Sequence, residues 1–165
     1  ELPEYFYQKR KKCENDGQIC QMIQNDSIYD FVSFVNKKNY NLNSSIKSSI
    51  YETNSFLIKN SETTLIEYAA FFGSIQIFKY LINNKVELTP KLWLCAIHSQ
   101  NVEIIQILEE NNVESHKDSL TESIKCHSNN FFGYIQDKYF TNENLADVSI
   151  CNLKYYNFYL VEWKY

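Results

Sequence analysis

Apolar residues recur along most of this chain at three- and four-residue spacing, the signature of one buried helix face. Ile66, Ala69 and Ala70 form one such stripe, and Ile77, Phe78, Leu81 and Ile82 form the next. Thr64-Leu-Ile-Glu67 before the first stripe reads as a capping box, and Gly73 between the stripes reads as a left-handed helix end. The pair of helices then returns. Shifting Thr64–Leu81 by 27 onto Lys91–Leu108 superposes Ala69 on Ala96, Gly73 on Gln100, Ile77 on Ile104 and Leu81 on Leu108. Thr89-Pro90 supplies the second copy with an N-cap and a proline suited to the first helical turn.

The same pattern extends outward in weaker form. Ile19, Met22 and Ile23, a polar break at Asn25-Asp-Ser27, and then Ile28, Phe31, Val32 and Val35 make a first copy. Leu120, Ile124 and Cys126, a break at Ser128-Asn-Asn130, and then Phe131, Phe132 and Ile135 make a fourth. Leu145, Ile150 and Leu153, a turn near Asn157, and Tyr159-Leu-Val161 make an incomplete last one. The repeats therefore run over about 19–43, 64–88, 90–114, 118–140 and 145–165. They follow a polar flank at 1–18 and are interrupted by an insertion at 44–63. Ile46, Ile50, Phe56, Leu57 and Ile58 give the insertion a small apolar core, and a short helix is expected near 46–51. A repeat of this length predicts stacked supersecondary units that share one core, with small residues such as Ala69 and Ala96 allowing close approach.

Thr64-Leu-Ile-Glu-Tyr-Ala-Ala-Phe-Phe-Gly-Ser-Ile-Gln-Ile-Phe78 resembles the ankyrin repeat text T-P-L-H-x-A-A-x-x-G-x-x-E-I-V, and Asn101-Val-Glu-Ile-Ile105 is similar to its second half. Three further phrases are Glu52-Thr-Asn-Ser-Phe56, Leu65-Ile-Glu-Tyr-Ala-Ala-Phe-Phe-Gly-Ser74 and Val86-Glu-Leu-Thr-Pro90. They resemble more narrowly a divergent ankyrin family of large, asparagine-rich protist proteins. Glu67 and Leu94 stand where the family has His. A 27-residue period, against about 33 for ankyrin, leaves little room for its β-hairpin. The resemblance implies an all-α fold, an ankyrin-like solenoid of stacked helix-turn-helix repeats with shortened or missing β-hairpins. It also implies a non-catalytic protein–protein interaction module that meets a protein partner on the concave helical face. Tyr68, Phe71, Phe72, His98, Ser99 and Lys125 fall at the positions that would line that face. A structural packing role within a longer ankyrin-repeat chain is the alternative.

Composition narrows the classes without naming one. Hydrophobic residues make up 44% of the 165, enough for a core. The net charge of −4 argues against a nucleic-acid surface, and no apolar run of about 20 residues offers a membrane span. No signal peptide is visible. Five irregularly spaced cysteines predict reduced thiols and a cytoplasmic setting. Three glycines in the whole chain preclude a glycine-rich phosphate cradle, and no catalytic motif is present, so no catalytic residue and no cofactor are expected.

One constellation needed weighing. Cys95 and His98 share a helix, and Cys126 and His127 follow one repeat later, so stacked layers could assemble a tetrahedral zinc set or a redox site. The paired C-x-x-C spacing of strong zinc motifs is missing, and cysteine is a common small core residue. The sequence expectation is therefore no metal site.

Overall fold

The computed structural model describes residues 4–12, 14–60, 62–139 and 145–158. Among the described residues every regular element is a helix, and the β-type pairing is an isolated antiparallel bridge between Ser45 and Thr64. The chain divides into two compact units, 1–87 and 88–165, each described here by itself. The first holds α1 (Glu4–Lys12), α2 (Gln18–Gln24), α3 (Ile28–Lys38), α4 (Ser55–Lys59), α5 (Leu65–Phe72) and α6 (Ile75–Asn83). The second holds α7 (Lys91–Ser99), α8 (Val102–Glu110), α9 (Ser119–Lys125), α10 (Asn129–Tyr139) and α11 (Leu145–Lys154).

Left-handed backbone residues punctuate these helices at the period of the sequence. Between the two helices of each hairpin φ is positive at Asp26, Gly73, Gln100 and His127, and again at Tyr156 after α11. Gly73, Gln100 and His127 follow one another at steps of 27. A second series closes the second helices at Asn39, Lys85 and Asn112. A left-handed residue turns the following amide back onto the helix it has just left. Accordingly Ser27, Ser74, Ser128 and Asn157 each donate a backbone N–H to the carbonyl five residues back, at 2.9 Å. Tyr40, Val86 and Val113 do the same after the second helices, at 2.9–3.3 Å. The turn after α7 uses a side chain instead: the Ser99 hydroxyl accepts the Asn101 amide at 3.3 Å.

The capping box expected at Thr64 is present, whereas Ser27 before α3 and Pro90 before α7 hold the N-cap position with no side-chain cap hydrogen bond. Thr64 Oγ1 accepts from the Glu67 amide, and Glu67 returns a carboxylate oxygen to the Thr64 amide at 3.0 Å, completing the capping box. Asn101 caps α8 through the amides of Glu103 and Ile104. Pro90 stands in helical conformation immediately before α7.

Within each unit like helices pack on like: α2 on α5 and α3 on α6 in the first, α7 on α9 and α9 on α11 in the second. Phe31, Leu65, Ile66, Ile77, Phe78 and Leu81 are buried in the first core. Leu92, Trp93, Ile97, Ile104 and Leu108 are buried in the second. Full burial of each such side chain is worth about 1.5–3 kcal/mol. Trp93 donates its indole N–H to the Val113 carbonyl at 2.9 Å, so its polar handle is satisfied inside the core.

Two local expectations are corrected. Residues 46–51 are not helical: the Ile46 amide pairs with the Thr63 carbonyl at 2.8 Å beside the Ser45–Thr64 bridge, and a turn follows in which the Glu52 amide donates to the Ser49 carbonyl at 3.2 Å. The helix of the insertion is α4, capped by the Asn54 side chain, and Ile50 and Ile58 are exposed instead of joining its core. The polar flank carries α1, whose Phe6 ring lies 5.5 Å from that of Tyr51 and whose Arg10 donates to the Ile50 carbonyl. Tyr159-Leu-Val161 and Trp163, with Cys13, lie outside the described residues.

Candidate functional site

Tyr68, Phe71 and Phe72 lie in the first unit, and His98, Ser99 and Lys125 in the second. Tyr68 is only 2% exposed, which corrects its assignment to a surface. Its hydroxyl accepts from Gln24 Nε2 at 2.7 Å, tying α5 to the end of α2. Phe72 packs on Tyr68 with 4.7 Å between ring centroids and edge-on against Phe71 at 5.2 Å. Phe71 in turn stacks on Phe56 of α4 at 5.8 Å with the planes 13° apart. Phe56, Phe71 and Phe72 are all half-buried. The insertion thus extends this aromatic cluster at the C-terminal end of α5. Phe56 was legible only as an apolar residue of the insertion, since nothing in a one-dimensional pattern says which loop residue will fold onto which helix end.

In the second unit the repeat brings together a polar cluster on α7 and α9. His98 Nε2 lies 2.9 Å from Glu122 Oε1, and Lys125 Nζ donates to Glu122 Oε2 at 2.8 Å. Cys126 Sγ lies 3.5 Å from His98 Nδ1 and 3.7 Å from Nε2. Burial pushes the Glu122 carboxyl up, but the hydrogen bonds from His98 and Lys125 and the charge of both outweigh it and hold Glu122 below the usual carboxylate range. Burial first, and the Glu122 charge second, push the Cys126 thiol up to about 12. A cysteine beside an imidazole held by a carboxylate is the layout of an activated nucleophile, but a thiol this basic stays protonated at neutral pH.

Of the four residues weighed for a metal set, His98 and Cys126 come together. Cys95 is buried within α7, and His127 is exposed at its left-handed turn. Glu122 is the member the pattern missed. The signal was available: Glu122 falls 27 after Cys95, at a repeat position otherwise given to the core. A charged residue there needs partners, and His98 and Lys125 are those partners. Ser99 serves its own helix end, its hydroxyl donating to the Ala96 carbonyl at 2.9 Å. Lys125 is exposed and lies 5.5 Å from the centre of the Tyr155 ring. Comparison of the chain with protein-family models, with curated proteins and with solved structures finds no match.

Proposed function

We propose that this chain is a non-catalytic protein–protein interaction module built of ankyrin-like helical hairpins with shortened or missing β-hairpins. The observation that carries this reading is the half-buried Phe56–Phe71–Phe72 cluster, which gathers aromatic area where α4 of the insertion meets the C-terminal end of α5. Aromatic side chains combine large apolar area with few rotatable bonds, and they are the residues most enriched at the centres of protein interfaces. The like-on-like helix packing and the 27-residue punctuation support the ankyrin-like element of the proposal. A cytoplasmic setting belongs to the same reading, because Cys20, Cys95, Cys126 and Cys151 are free thiols. Among the described residues no helix is long and apolar enough to cross a membrane.

The test replaces Phe71 and Phe72 together by Gln. Binding of partners from a matched lysate is compared with the native chain, and helix content is followed by circular dichroism. The proposal expects a native partner lost by a variant that keeps its helices. Equal capture by both overturns it and moves the role to packing against a neighbouring segment through the exposed Tyr156 and Phe158.

A further inference from the structure

We propose that His98, Glu122 and Cys126 form a binding site for a divalent transition-metal ion of the zinc class, a role separate from the interaction reading. The three side chains offer an imidazole nitrogen, a carboxylate oxygen and a sulfur, and their donor atoms all lie within 4.8 Å of one another. A tetrahedral ion with bonds of about 2.0–2.3 Å sets donor-to-donor edges of about 3.3–3.6 Å. The observed edges are 2.9 Å from Nε2 to Oε1 and 3.7 Å from Nε2 to Sγ. Seating an ion therefore requires the Glu122 oxygen to back away from the ring by a few tenths of an ångström and the sulfur to settle inward. Rotation about the short side-chain torsions supplies both movements.

The charge and the chemistry agree with an ion of this class. Sulfur and imidazole donors select zinc, cobalt or copper over the hard cations calcium and magnesium. Binding exchanges the Cys126 S–H proton for a metal–sulfur bond and the His98 Nε2–H for a metal–nitrogen bond. The thiol proton goes to solvent, the imidazole keeps one proton on Nδ1 and releases any second one to solvent, and no oxidation state changes. The thiolate and the Glu122 carboxylate together then match the two positive charges of the ion. Lys125 holds Glu122 Oε2 and leaves Oε1 as the single ligand oxygen, the outer-sphere support that orients a metal carboxylate. Three protein ligands leave a fourth position for water or for a donor from a partner.

The test is a titration of the whole chain with Co²⁺, in a non-thiol reductant and without chelator. The expected result is a near-ultraviolet sulfur-to-cobalt charge-transfer band that saturates at one equivalent and is abolished by added Zn²⁺. Cys126→Ser is expected to remove the band, and His98→Gln and Glu122→Gln each to weaken Co²⁺ binding at least tenfold, with circular dichroism showing retained helices. Cys151→Ser, which leaves the three donors in place, is expected to keep the band. A folded native chain without the band, or a band unchanged in Cys126→Ser, overturns the proposal. If Cys126→Ser does not fold, unchanged affinity in folded Glu122→Gln and His98→Gln overturns it equally.

Discussion

Several turns of this chain place a side chain in the left-handed region that glycine adopts most easily. Gly73 takes its positive φ of 72° at no steric cost, but Gln100 has a φ of 53° and His127 a φ of 52° at the equivalent positions. A side chain in the left-handed region costs about 1–2 kcal/mol. Replacing it by glycine also adds about 0.5–1 kcal/mol of backbone entropy to be lost on folding. Gln100→Gly is therefore expected to stabilise by about 0.5–1 kcal/mol, raising the denaturant midpoint with the slope unchanged. A midpoint that falls would show that the Gln100 side chain does more than occupy the turn. Gly73 was readable as a helix end because glycine advertises this conformation. Asp26 falls within the polar break Asn25-Asp-Ser27 and His127 beside the break Ser128-Asn-Asn130, whereas at Gln100 and Tyr156 only the repeat register points to the turn.

At the scale of elements, hairpins are joined by hydrogen bonds that run from one turn to the next. Ser74, just after the left-handed Gly73, donates its hydroxyl to the Ile23 carbonyl of the preceding hairpin. Asn157, just after Tyr156, donates Nδ2 to the Ile124 carbonyl at 3.2 Å. In each case the accepting residue stands three before the previous left-handed turn. Asp26 adds a stronger link, its two carboxylate oxygens accepting from the Gln76 and Ile77 amides at 3.0 Å each and so capping α6 from the neighbouring hairpin. The same exchange for glycine should then have opposite signs at equivalent turns. Asp26→Gly loses two charge-assisted bonds and is expected to destabilise by about 1 kcal/mol after relief of the turn, where Gln100→Gly stabilises. Thermal unfolding of the two variants side by side decides this, and a shift of the same sign in both would refute the capping role. The hairpins themselves were legible because 3.6-residue periodicity survives in their sequence. The helix of the insertion was misplaced because it depends on one Asn54 cap and on pairing of Ile46 with Thr63, which leave no periodic trace.

At the scale of the whole molecule, three carboxyls among the described residues are more acidic folded than their ordinary values of 3.8 for Asp and 4.5 for Glu. Asp16 is lowered by its hydrogen bonds from Lys9 and then Ser49. Burial pushes Glu109 up, but hydrogen bonds from Tyr134, Lys138 and Tyr139 lower it overall, and Glu122 follows the same balance with His98 and Lys125. A group with a depressed folded pKa adds stability above its unfolded value and loses it as pH falls through the folded one. Chemical denaturation is thus expected to show full stability near neutrality and a decline beginning at about pH 4.5. Glu122→Gln should flatten part of that decline, and an unaltered pH profile in this variant would count against the Glu122 network as an acid-sensitive element. The core residues of the repeats were readable from the sequence alone, Ile77, Leu81 and the Phe131–Phe132 pair among them. The approach of His98 to Cys126 was readable from the repeat register, while Glu122 was passed over because the repeat gives its position to the core.

The punctuation also sets how a chain of this kind changes length. From Asp26 to Gly73 is 47 residues, and from Gly73 to Gln100 is 27, so the first interval exceeds the second by 20, the length of the 44–63 segment. The extra residues sit after the Asn39 turn and before the Thr64 cap, at a seam where both neighbouring hairpins are already closed. Excision of residues 101–127 would splice Gln100 directly to Ser128. A left-handed residue would again be followed by a small polar one, and α7 would enter α10 through a turn of the kind it had before. An addition at a seam therefore need not keep the period, whereas an exchange through turns keeps it only in whole hairpins. The chain is a text that tolerates inserted words between its sentences and, within them, only the substitution of entire clauses.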